Sequence, residues 1–320
     1  VCSSVKSLVS VTQQLVERSD TESFEQHKQC LELYGYLIYC LLTFLYLEKI
    51  PTSIVASNKK SNARNTNLQI FKNNCKQIES IMEVITLILK INLSKLFQTT
   101  PERDSFVSLF TKPIYSLMEN EQRIKIENIK RYMFKIIAMA LKYHGHASAA
   151  KTSILQNLTY YFHLNSIMAE LLKVLNNEYD YNQLTDDVLK EVSNNQFDSN
   201  DTNGPKSIAA FIIKLSELSP QLVLKQMPVV AKLLDNNSQT LRCAVVESCG
   251  NIVVHICKDN DTFDRYQKQT ETLLDLLQER FKDQNPFVRT KAIQALIKVT
   301  DSQIKFNDRR REFIELSVAS

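Results

Sequence analysis

The sequence predicts an all-α chain built as a solenoid of stacked antiparallel helix pairs. Three observations carry this. Only four glycines and seven prolines punctuate 320 residues, too few for strands that must reverse every ten residues or so. Apolar residues return at helical spacing through most of the chain. One segment is also copied further along, as in proteins whose repeats cannot bury their apolar faces alone.

Residues 1–175 read as an irregular helical-repeat region, with helical patterns near 5–17, 25–48, 69–92, 104–118, 124–143 and 148–162. Leu33–Leu47 carries no charge over 15 residues, short of the ~20 that cross a bilayer. It is expected to be a helix covered on both sides by neighbours rather than a membrane span. Residues 57–67, SNKKSNARNTN, are polar and aperiodic and are expected to be a mobile loop. The Asn/Asp-rich stretch 176–204 is expected to be a linker dividing the chain, with at most one short helix around Asp186 to Asn194.

Residues 205–320 read as regular repeats. Pro205 suits a first helical turn, and Ile208, Phe211, Ile212, Leu215 and Leu218 share a face. Pro220 marks the next start, and Pro228 is expected to bend the helix running to Leu234. Helices from Gln239 to Cys257 and from Phe263 to Lys282 follow, and another begins at Pro286.

The repeat is explicit at LLDNNSQTLRCAVVESCGNIV (233–253) and RFKDQNPFVRTKAIQALIKVT (280–300), which align without gaps at a shift of 47 residues. In each copy a polar turn precedes an apolar-Arg pair, Leu241-Arg242 and Val288-Arg289. The inner face is then small or aliphatic: Val245, Cys249 and Ile252 in one copy, Ala292, Leu296 and Val299 in the other. Two helices per unit at this period belong to HEAT or armadillo arrays. The turn resembles the HEAT pattern, in which an Asp and an Arg bond between neighbouring repeats. Asp283 and Arg289 occupy those positions in the second copy, and Asn236, beside Asp235, and Arg242 in the first.

Catalytic chemistry finds no anchor. There is no GxGxxG or GxxxxGK[ST] to bring backbone amides to a phosphate and no GxSxG elbow. The five histidines, His27, His144, His146, His163 and His255, have poor spacing for a metal; His144 and His146, like His255 and Cys257, stand only two residues apart. Neither metal nor cofactor is expected, and no small-molecule substrate. Seven cysteines without a CxxC pair read as free, reduced thiols of a nuclear or cytosolic protein. Triplets such as Asn157-Leu158-Thr159 are expected to stay unglycosylated, because no signal peptide is seen. Starting at Val1 and stopping at Ser320, the sequence is expected to be a piece of a longer chain.

The net charge of +4 is permissive rather than diagnostic. Lys125, Lys130, Arg131, Lys135 and Lys142 are expected along one long helix, Lys59, Lys60 and Arg64 in the polar loop, and Arg309, Arg310 and Arg311 near the end. The first four are the candidate phosphate contacts for sequence-independent, salt-sensitive binding of double-stranded DNA. Glu121, Glu127 and Glu312 dilute these clusters, and an ordinary solvated helix face is the plainer reading.

GPKSIAAFIIKLSELSPQLVLKQMPVVAKLLDNNSQTLRCAVVESCGNIV (204–253) resembles the D2-type HEAT subunits of condensin. The upstream order HKQCLELYGYLIYCLLTFLYLE, ESIMEVITLILKINLSKLF, DSFVSLFTKPIYSLMEN and KTSILQNLTYYFHL resembles them too, so the likeness covers nearly the whole chain. The resemblance implies a non-catalytic scaffold for mitotic chromosome condensation, which associates with a kleisin and with the SMC ATPase subunits and helps engage DNA. It also implies nuclear and chromosomal localisation with a cytoplasmic pool. Rival readings are an armadillo-type nuclear transport receptor, a regulatory scaffold of a phosphatase or kinase, and an enzyme on a helical frame. The absence of Trp speaks against the first, and the irregular first half against the second.

Overall fold

The computed structural model describes residues 2–18, 23–47, 61–195, 203–302 and 315, and of 61–68 the backbone only. Every regular element among them is a helix, as the solenoid reading requires. The chain divides into two compact units, Val1–Ala150 and Lys151–Ser320.

In the first unit, α1 (Cys2–Arg18) buries Val5, Val9, Thr12 and Val16, one face of a 3.6-residue period. It lies on α2 (Phe24–Leu47) and α3 (Ser61–Ile88). The Thr12 hydroxyl donates to the Leu8 carbonyl at 2.8 Å and stands 2.9 Å from His27 Nδ1, joining α1 to α2. α2 buries Leu31, Gly35, Ile38, Leu42 and Leu45 and packs mainly on α5 (Thr100–Met118). Gly35 is required there: a Cβ would stand 2.9 Å from Phe106 Cε2 and 3.3 Å from Phe110 Cζ.

The short α4 (Leu93–Leu96) and α6 (Glu121–Ile124) serve as corners, and α7 (Glu127–His144) closes the unit against α3 and α5. Buried Arg123, in α6, donates to the carbonyls of Leu45 and Tyr46, satisfying the last turn of α2. α7 ends on Gly145, whose positive φ of 69° is the left-handed cap that lets His146 N–H reach Ala140 O at 3.2 Å.

Two expectations for this unit need correction. Residues 61–67 belong to α3 rather than to a loop, while 57–60 lie outside the described residues. The segment holds no Gly or Pro to stop a helix that its buried continuation, Ile78 to Ile88, already stabilises. Secondly, α2 is not covered on both sides. Leu33 (71% exposed), Tyr36, Phe44 and Leu47 form a bare apolar stripe among the described residues. Among those residues, α2 is the one helix long and apolar enough to cross a membrane by length and composition.

The division falls within α8 (Ala147–Tyr160). The second unit then pairs α9 (Asn165–Tyr179) with α10 (Gln183–Asn194), and α11 (Asn203–Leu218) with the broken α12 (Pro220–Lys225) and α13 (Met227–Val230). α14 (Gln239–Ile256) is paired with α15 (Asn260–Arg265) and α16 (Gln267–Glu279), and α17 (Pro286–Ser302) opens the next pair. α9, α11, α14 and α17 stack in sequence as one layer. α14, covered on two sides, buries Leu241, Val245, Cys249, Ile252 and Val253 among others.

Within 176–204, the one short helix expected around Asp186 to Asn194 is α10, and 196–202 lie outside the described residues. α10 buries Leu184, Val188, Leu189 and Val192 and packs on α13, so it is the outer helix of a repeat. Asp180, Asn182 and Asn195 cap the ends of α9 and α10, which is why the composition resembles a linker. The bend expected at Pro228 is present, since proline opens α13 after the break at Gln226. A second break, at Tyr266, divides the expected helix from Phe263 into α15 and α16.

Candidate interaction surfaces

The two polar turns of the duplicated segment share one geometry. Asn236 Oδ1 accepts the Ser238 N–H at 2.9 Å, and Asp283 Oδ1 accepts the Asn285 N–H at 2.9 Å. Arg242 Nη1 donates to the Asn236 and Asn237 carbonyls at 2.8 and 3.2 Å, and Arg289 Nη1 to those of Asp283 and Gln284 at 2.9 and 3.3 Å. Each arginine thus closes its own turn.

Arg242 does more. Its Nε and Nη2 grip Asp283 Oδ2 and Oδ1, each at 3.1 Å, with 14% and 5% of the two side chains exposed. This fork joins one repeat to the next. Burial pushes the Asp283 carboxyl up. The hydrogen bonds from Arg242 and the Asn285 N–H, with the charges of Arg242 and Arg280, outweigh it and hold the group below its ordinary value.

Further rungs join α14 to α17. Lys298 donates to Asn251 Oδ1 at 2.8 Å, Asn251 donates to Ser216 Oγ of α11 at 3.0 Å, and Lys291 pairs with Glu247 at 2.9 Å. Asn285 also donates to Gln239. Gly250 makes the closest approach, since a Cβ there would lie 3.0 Å from Ala295 Cβ. Sequence reasoning missed these rungs, although Asn251 and Lys298 stand at the same 47-residue separation as the repeat.

The four candidate DNA contacts do not form one stripe. Lys125 precedes α7, at the end of α6, and pairs with Glu121 at 2.7 Å. Lys130 has 19% of its side chain exposed and pairs with Glu127 at 3.0 Å. Arg131, exposed, and Lys135, half-buried, lie one turn apart on α7, with exposed Lys142 further along the same face. Arg131 and Lys135 form no ion pair among the described residues. Lys59, Lys60, Arg309, Arg310 and Arg311 lie outside the described residues, as does the side chain of Arg64.

No group of three or more His, Cys, Asp or Glu side chains able to hold a metal occurs among the described residues. His144 Nε2 lies 2.9 Å from the Leu89 carbonyl and His146 Nε2 lies 3.0 Å from Ser108 Oγ; burial lowers the pKa of both. These contacts hold the α7 terminus to α5 and to the end of α3. Cys249 is on the buried side of α14, which pushes its thiol up to about 12.

A stacked set of helix pairs with a repeated interlocking turn defines the helical-repeat scaffolds, whose long surfaces bind other macromolecules. Within that class, residues 1–150 match the family model described as non-SMC mitotic condensation complex subunit 1, N-term, and residues 163–315 match that of the sister chromatid cohesion protein PDS5. Condensin complex subunit 1 of Saccharomyces cerevisiae is 49% identical over 92% of the chain, and that of Schizosaccharomyces pombe 36% over 83%. The Xenopus laevis protein of the same name is 24% identical over 68%. The chain belongs to the condensin complex subunit 1 family. It spans 26%, 23% and 16% of the lengths of these three relatives.

Proposed function

We propose that the chain is part of a non-catalytic scaffold subunit of condensin, which binds the kleisin and the SMC ATPase subunits and helps engage double-stranded DNA during mitotic chromosome condensation. The single observation supporting it most strongly is the 49% identity over 92% of the chain to a protein named condensin complex subunit 1. ATP hydrolysis then belongs to other subunits, and the protein works in the nucleus and on chromosomes, with a cytoplasmic pool.

Arg131 and Lys135 are the proposed phosphate contacts, because a cation without a carboxylate partner gives up least on meeting DNA. Lys125 and Lys130 contribute after exchanging Glu121 and Glu127 for phosphate. Each phosphate neutralised releases condensed counterions, worth a slope of about −0.9 in log K against log salt.

The test co-expresses the full-length subunit with kleisin and SMC proteins, then titrates DNA across salt. Kleisin capture, with a slope lowered by about 2 in the Arg131→Glu/Lys135→Glu variant, supports the proposal. Absence of kleisin capture would sink the condensin role and leave a repeat scaffold with another partner. An unchanged slope would remove α7 from the DNA surface.

A further inference from the structure

The second unit contains an open groove of about 1030 Å³ that the stacking of repeats does not require. It lies between α12–α13 and α16, alongside the α9–α10 turn. Its size matches the upper end of ligand-binding clefts, about 300–1,000 Å³. Both outer segments beside it are broken, at Gln226 and at Tyr266. Each rests on α14 without packing extensively on the other.

Half-buried Leu218 and Leu276 give the lining its apolar area, with the buried Leu222, Met227 and Leu273 contributing little exposed surface. Asn176, Asn182, Gln221 and Gln269 surround them with amides, with Tyr266 beside them. Among the described residues no carboxylate lines the groove; its basic members are His255 and Lys225, and Lys225 pairs with Asp186 at 2.7 Å. Depletion of charge around apolar and aromatic groups marks the centre of a protein interface rather than a solvated face.

Side-chain amides pair donor and acceptor in the way peptide groups do, so an amide rim suits a partner whose own backbone is free. A helix hides its backbone groups and would leave the amides unmatched, and an anionic lipid surface or nucleic acid would meet a single lysine, which must first give up Asp186.

We propose that this groove docks an extended, uncharged peptide segment of a partner subunit. Its apolar side chains lie on the leucine and methionine base and its main-chain groups meet the amides. The inference rests on the scaffold role above and names a site for it.

The test selects a phage-displayed library of random 12-residue peptides on the whole chain, then measures binding of the enriched peptides to groove variants. Leu276→Arg fills the base, and Gln221→Ala/Gln269→Ala removes two exposed amides, leaving the fold intact even if the first variant is unstable. Enrichment of uncharged, apolar peptides without helical spacing is expected, with affinity falling about 10- to 30-fold in either variant. Charged or helix-patterned peptides, peptides that bind the variants equally, or no enrichment would each overturn the groove. The same variants in the kleisin capture separate the two ideas. Undiminished kleisin capture with no peptide selected rejects the groove and leaves the scaffold role standing; groove-dependent peptides without kleisin capture do the reverse.

Discussion

Breaking the Arg242–Asp283 fork should uncouple two repeats while each keeps its own turn. The fork consists of two charge-assisted bonds of 3.1 Å between side chains only 14% and 5% exposed. Truncating a fully buried ion pair costs about 3–5 kcal/mol, and an exposed pair is worth about 0–1 kcal/mol. This fork lies between those limits, and Asp283→Ala also loses the Asn285 N–H bond. We expect Asp283→Ala to cost about 2–3 kcal/mol and Arg242→Met about 2 kcal/mol. In the double variant the two losses should fall short of additivity by about 1–2 kcal/mol. Arg289→Met, which among the described residues gives up bonds to its own turn alone, should cost about 1 kcal/mol.

The assay is urea unfolding followed by thiol reactivity of buried Cys249, which reports on the second unit alone. Because the Asp283 pKa is lowered, its contribution is fully present above the unfolded value of 3.8 and is lost as pH falls through the lowered one. A coupling below about 0.5 kcal/mol at pH 7 would show that the fork is incidental to the stacking of repeats.

Other consequences are open to measurement. Gly35→Ala forces a Cβ to 2.9 Å from Phe106, so the first unit should lose about 1–2 kcal/mol by thermal melting despite alanine's better helix propensity; a gain would show that the rings yield freely. The pKa values of His144 and His146 are lowered, so their contribution is complete above 6.5 and declines as pH falls below it. His144→Gln should flatten that part of the stability–pH curve, and an unchanged curve would refute the assignment. Under native conditions at pH 8, alkylation should label exposed Cys30 and Cys40 and spare Cys249; equal rates would contradict its burial. On α2, Phe44→Glu should leave the melting temperature nearly unchanged, whereas Leu42→Ala should cost about 2–5 kcal/mol; similar losses would mean that Phe44 is covered.

Much of the fold was legible because helical period and helix-breaking residues are local signals. The apolar spacing from Ile208 to Leu215 and the 47-residue copy place α11, α14 and α17 directly. The segments hardest to read were those where composition and period disagree. SNARNTN looks like a loop because it is polar, yet its backbone is helical, continuous with the buried half of α3. In 176–204 the Asn and Asp residues outnumber the four apolar positions that tie α10 to α13. Side-chain partners across repeats were legible only where a pattern supplied them. Asp283 and Arg242 could be anticipated, but the pairing of Lys298 with Asn251 or of Arg123 with the end of α2 depends on distances that one sequence does not encode.

Within the second unit, α11 and α14 are unbroken, while the helices opposite them are jointed at Gln226 and Tyr266. Such a construction behaves like a leaf spring with a fixed inner leaf. The row seated on the Gly250–Ala295 contact holds its length, and the jointed row takes up any change in curvature by turning at its two breaks. A joint concentrates any change of curvature in a few turn hydrogen bonds, so the outer row is where this unit should open first in hydrogen exchange.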